Sequence, residues 1–138
     1  MRSISYIVIH CTATLQSAKV ESIQNYWKNN LKWKSPGYHK IIEPNGTVRT
    51  LAPDAAVCNG VKGHNSHSLH VSYIGGIDAK GNAKDNRTPQ QKAAMERVVR
   101  EWKRQHPQAV VQGHRDFAGV AKACPSFDAI AWAKEVCL

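Results

Sequence analysis

The chain has 138 residues, with 19 Lys or Arg against 10 Asp or Glu, a formal charge of +9. A chain of that length forms one domain able to bury about two-thirds of its unfolded surface, so it needs no disulfide framework. Its 42% apolar and 21% charged content excludes disorder, and no apolar run approaches the roughly 20 residues that cross a bilayer.

Residues 4–9, Ile-Ser-Tyr-Ile-Val-Ile, are a β-branched and aromatic run that reads as a strand buried on both faces. No apolar h-region with a small-residue cleavage site precedes it, so no signal peptide is expected. Val20, Ile23, Trp27 and Leu31 recur every three or four residues and predict a helix, which the Pro36-Gly37 turn interrupts. Residues 38–43 and 47–51 flank Pro44-Asn45-Gly46; both Asn and Gly tolerate positive φ, so a hairpin is expected. Val71-Ser72-Tyr73-Ile74, ended by Gly75-Gly76, reads as another strand. Thr88 as N-cap, Pro89 at N1 and Gln91 closing a capping box open a helix running to about His106, with Met95, Val98, Val99 and Trp102 as its buried stripe. Val110-Val111 lies in a short strand, and a last helix starts after Ser126. This order predicts a mixed α/β fold: a central mixed sheet of about five strands flanked by about three helices, in a single domain spanning 1–138.

Seven histidines and four cysteines could carry chemistry. His106 sits at a helix C-terminus, where positive charge is favourable, and His67 and His70 read as loop and strand-edge residues. His10 and His114 stand apart, because each follows an apolar strand, where mixed-sheet enzymes build their sites. Cys124 comes ten residues after His114. Two imidazoles and a thiolate are good zinc donors, and three protein ligands leave a fourth position for water. The sequence distance between His10 and His114 leaves their convergence open, and a cysteine alone also serves as a small buried apolar residue. Tyr38 as a packing residue and Lys122 as a solvated charge are equally open from spacing alone. Cys11 and Cys58 have no evident role, no CxxC pair occurs, and a Cys58–Cys137 bridge is neither supported nor excluded. Among the tryptophans, Trp33 beside the Pro-Gly turn is the best candidate for a stacking platform.

The ordered set Ile9-His10-Cys11-Thr12-Ala13-Thr14, Gly37-Tyr38-His39, Gly63-His64-Asn65-Ser66, Gly75-Gly76-Ile77-Asp78, Thr88-Pro89-Gln90-Gln91, Gly113-His114-Arg115-Asp116 and residues 122–128 (Lys-Ala-Cys-Pro-Ser-Phe-Asp) covers nearly the whole chain. It resembles the zinc-dependent N-acetylmuramoyl-L-alanine amidases, the group containing small phage lysozymes and peptidoglycan recognition proteins, and above all the compact phage endolysins. The resemblance implies one catalytic Zn²⁺ held by His10, His114 and Cys124, with Tyr38 and Lys122 catalytic and His64 near the substrate. It implies hydrolysis of the amide between N-acetylmuramate and L-alanine, in a catalytic domain without a separate wall-binding domain. The expected protein is a monomer made in the cytoplasm and acting on the wall after membrane breach. A cytoplasmic amidase recycling muropeptides and a non-cleaving peptidoglycan binder are the alternatives. The charge fits anionic wall polymers. It would also fit nucleic acid, but the basic residues are dispersed and no helix-turn-helix, RNP or zinc-finger pattern occurs, so no specific nucleic-acid partner is expected.

Overall fold

The computed structural model describes residues 2–138. Five strands form one mixed sheet: β1 (Tyr6–Cys11), β2 (Lys40–Ile42), β3 (Val48–Thr50), β4 (Ser68–Tyr73) and β5 (Val110–Gly113), in the order β3-β2-β4-β1-β5. β1 runs parallel to both β4 and β5, β2 runs parallel to β4, and β2 and β3 pair antiparallel. Three α-helices, α1 (Val20–Asn25), α2 (Pro89–Gln105) and α3 (Ala129–Glu135), complete the architecture. This is the mixed sheet with about three helices that the element order predicts. Among the described residues, no helix is long and apolar enough to cross a membrane.

Local chemistry explains the boundaries. Gly46 at φ 91° lets the β2–β3 turn close, and the Thr47 N–H donates to Asn45 Oδ1 at 2.9 Å. The Gln91 N–H donates to Thr88 Oγ1 and the Thr88 N–H to Gln91 Oε1, both at 3.0 Å, so the expected capping box starts α2. Gln91 is fully buried, and its Nε2 also donates to the Ile42 and Ile74 carbonyls at 3.1 and 3.0 Å, joining the helix start to two strand ends. The helix after Val20 is shorter than its periodicity suggests: α1 passes into a π-helical turn at Tyr26–Asn30.

The two faces of the sheet differ. Ile7, Ile9, Leu69, Val71 and Tyr73 pack with Met95, Val99 and Trp102 of α2 and with Ala129 and Trp132 of α3. On the opposite face Val20, Ile23 and Trp27 cover Ile41, and Val61 and Phe117 cover Val8. That second face also carries the buried polar residues His10, His39, His70 and Ser72. The strand predicted at 71–74 actually spans Ser68–Tyr73, so His70 lies within β4 and is fully buried. It is not the strand-edge residue the sequence suggested; reading a polar histidine as the boundary placed the strand start too late.

Candidate metal centre and groove

Parallel register brings the distant histidines together. Ile9 pairs with Gly113 across β1 and β5, so His10, within β1, and His114, just past the end of β5, emerge side by side. Their ring centroids are 5.0 Å apart. Cys124 arrives on the loop after β5, which is pinned over the strand ends. The Arg115 N–H donates to the Cys124 carbonyl at 2.9 Å, Tyr73 Oη donates to the Pro125 carbonyl at 2.7 Å, and Ser126 Oγ donates to the Gly76 carbonyl at 2.9 Å. Gly113 makes room for this loop, since a Cβ there would fall 2.6 Å from Pro125 Cδ.

One donor atom from each of His10, His114 and Cys124 lies within 4.8 Å of the others, and His10 Nδ1 is 3.8 Å from Cys124 Sγ. Burial, reinforced by repulsion from His70, His114 and Lys122, holds the His10 imidazolium well below its ordinary range. Burial, then Lys122, brings His114 down to about 4. Both rings are therefore neutral near pH 7, the form that binds a metal. Sharing a hydrogen bond with the Cys11 thiol, followed by burial, pushes the Cys124 thiol up, so a cation is needed to make it a thiolate. The Cys11 N–H already points at that sulfur from 3.2 Å. Two neutral imidazoles and one metal-ionisable thiol fit a borderline-soft divalent ion.

The trio lines a cavity of about 540 Å³, together with Tyr26, Trp27, Trp33, Tyr38 and Lys122 among others. A second hollow of about 610 Å³ adjoins it, sharing Trp33, Asn59, Gly60, His114 and Lys122, and together they form a groove. The Tyr38 ring lies 4.9 Å from His10 and 5.2 Å from Trp27, and its hydroxyl donates to the Cys11 carbonyl at 3.2 Å. Burial, then the nearby Cys124 and Cys11 thiols, pushes the Tyr38 phenol up, so it stays protonated. Lys122 is exposed and borders both hollows. The His64 ring packs on Phe117 at 4.6 Å and on Tyr6 at 6.0 Å, while its neighbours Gly63 and Asn65 line the second hollow.

The sequence did not single out the polar support behind His10. His70 Nδ1 lies 2.9 Å from His10 Nε2, and His70 Nε2 lies 3.1 Å from Asn65 Oδ1. Burial, then His39 and His114, lowers the His70 imidazolium to about 3, so this ring is neutral too. The one available signal was a histidine inside an otherwise strand-like run, six residues before Gly76. All four cysteines are unbridged, with Cys58 buried and Cys137 exposed.

Relatives agree with this architecture. The endolysin of Enterobacteria phage K11 is 43% identical over 131 residues, covering 94% of this chain and 85% of that protein. The endolysin of Klebsiella phage KP32 is 43% identical over 129 residues, covering 93% and 84%. The Ph2119 endolysin from Thermus scotoductus MAT2119 bacteriophage Ph2119 superposes with a TM-score of 0.83 over 99% of this chain and 86% of its own, a likeness of fold at 24% identity. The family described as N-acetylmuramoyl-L-alanine amidase matches residues 1–127, and the chain belongs to it.

Proposed function

We propose that the chain is a phage-type endolysin that cleaves the amide between N-acetylmuramic acid and the L-alanine of the peptidoglycan stem peptide, and that it depends on one Zn²⁺ held by His10, His114 and Cys124. The observation carrying this reading is the gathering of those three donors within 4.8 Å in the lining of a groove. When bound, the ion polarises the scissile carbonyl and brings the pKa of water toward about 7.

The remaining work falls to side chains around it. Amides resist water because resonance weakens the carbonyl as an electrophile and the amine leaves poorly. Lys122, on the groove wall, supplies fixed positive charge where the carbonyl oxygen becomes an oxyanion. Tyr38 lies against His10, so its hydroxyl orients the attacking water or relays that water's proton to the departing alanine nitrogen, ending protonated as it began. Trp27 and Trp33 wall the cavity with apolar surface, which strengthens both electrostatic contributions by excluding water.

Mass spectrometry of digested sacculi tests the reaction. Intact glycan strands with free stem peptides beginning at L-alanine are expected, and Cys124→Ala should abolish their release. Broken glycan linkages would refute the proposed bond, and wall binding without any product would favour a non-cleaving binder.

A further inference from the structure

His70 is a buried histidine that touches the first of the three donors and takes no part in the reaction steps above. Its hydrogen bonds can be assigned from their outer end. The Val61 N–H lies 2.7 Å from Asn65 Oδ1, which requires an acceptor there and fixes that atom as the amide oxygen. The same oxygen faces His70 Nε2 at 3.1 Å, so Nε2 carries the proton. A neutral imidazole has one N–H, which leaves a lone pair on His70 Nδ1, 2.9 Å from His10 Nε2. His10 Nε2 must then be N–H, and the free His10 lone pair sits on Nδ1, the atom facing Cys124 Sγ.

The surroundings hold His70 in this pose. Its backbone N–H donates to His39 Nδ1 at 3.0 Å, and the two rings stack at an interplanar angle of 11°. His39 Nε2 in turn donates to the Ala56 carbonyl at 2.8 Å. Gly60 crosses the His70 ring so closely that a Cβ would fall 2.2 Å from Nδ1. Glycine is needed there to keep that lone pair within reach of His10.

We infer that His70 is a positioning residue: anchored by Asn65 and given space by Gly60, it selects the His10 tautomer whose Nδ1 lone pair faces the metal centre. The inference rests on the reading of His10 as a ligand. Without the acceptor, His10 would exchange tautomers and present an N–H to the centre part of the time. Partners of this kind commonly govern metal affinity by about 10- to 100-fold.

The test uses the whole 138-residue chain in two measurements. In the metal-free chain, ¹⁵N-histidine NMR should report the Nε2–H tautomer for both His10 and His70. Co²⁺ titration against a competing chelator, followed through the thiolate charge-transfer band lost in Cys124→Ala, then reads affinity. His70→Leu fills similar volume without an acceptor, and should weaken Co²⁺ about 10- to 100-fold. His70→Asn returns an amide oxygen near the former Nδ1 and should recover most of that loss. Gly60→Ala should resemble His70→Leu, and supplies the same perturbation if His70→Leu does not fold. An Nδ1–H tautomer at His10, wild-type Co²⁺ affinity in folded His70→Leu or Gly60→Ala, or an equal loss in His70→Asn and His70→Leu would each overturn the inference. Failure of the wild type to show a Cys124-dependent band would overturn the ligand reading and this role with it. That outcome is distinguishable, because the tautomers are read without metal.

Discussion

Acid should destabilise the metal-free protein well before its carboxylates protonate. His10 and His70 are almost wholly buried, at 1% and 0% exposure, and burial lowers both imidazolium pKa values, that of His70 to about 3. In the unfolded chain each titrates near its ordinary value of about 6.5. Below that pH the unfolded state takes up protons that the folded state excludes. Their contribution to stability is therefore complete above pH 6.5 and drains away as pH falls toward the folded values. For His70 linkage gives a loss of about 1 kcal/mol between pH 7 and 5.5, and His10 adds a loss in the same direction. His39, lowered mainly by burial, and His114, lowered to about 4, push the same way. A domain with about 5–15 kcal/mol in hand would feel such a loss. Urea unfolding of the chelator-treated chain at pH 7.0, 6.5, 6.0 and 5.5 measures it, and His70→Leu should remove the His70 share. Unfolding free energy that stays level across this range would refute the neutral-histidine reasoning.

Tyr38→Phe keeps the ring packing on Trp27 and removes only the hydroxyl, so kcat on muropeptide should fall about 100-fold or more with KM little changed; a kcat within a few-fold of wild type would exclude proton transfer or water orientation by Tyr38. Thr88→Ala removes the acceptor for the Gln91 N–H and should cost about 1 kcal/mol in urea unfolding, without altering Co²⁺ affinity. Met95→Ala empties a fully buried site under α2 and should cost about 2–5 kcal/mol, again with Co²⁺ affinity preserved at low temperature. Affinity falling in step with stability in either variant would show that the core and the centre are not separable.

What the sequence revealed and what it concealed follow from the range of the interactions. The Asn45-Gly46 turn and the Thr88–Gln91 box are local, involving residues at most a few positions apart, and both form as expected. His10, His114 and Cys124 stand out in the sequence as candidate donors because each belongs to an ordered motif, and the fold brings the three together. Their meeting point was not legible from spacing, since it depends on the Ile9–Gly113 register between strands a hundred residues apart. The placement of His70 is hidden for a related reason. Its polarity looks like a strand edge until β1 and β4 are paired, Val8 opposite His70 and His10 opposite Ser72, which puts the two histidines diagonally on one face. The His64 ring, set against Phe117 and Tyr6 between two residues that line the second hollow, is likewise placed by packing partners distant in sequence.

The pairing of faces also explains how the sheet carries several buried histidines. Strand alternation sends Ile7, Ile9 and Cys11 toward α2 and α3, and Val8 and His10 toward the other side. The first face supplies continuous apolar burial. The second can then hold polar groups, provided each finds a partner, because an unpaired buried polar group costs about 1–3 kcal/mol. The ring nitrogens of His39 and His70 all have such partners within 3.1 Å. In His10 one ring nitrogen is committed to His70, while Nδ1 has only the distant Cys124 sulfur at 3.8 Å. A network that satisfies the ring nitrogens of His39 and His70 leaves the His10 Nδ1 lone pair facing the groove, beside a thiol and a second imidazole, where a cation would relieve it.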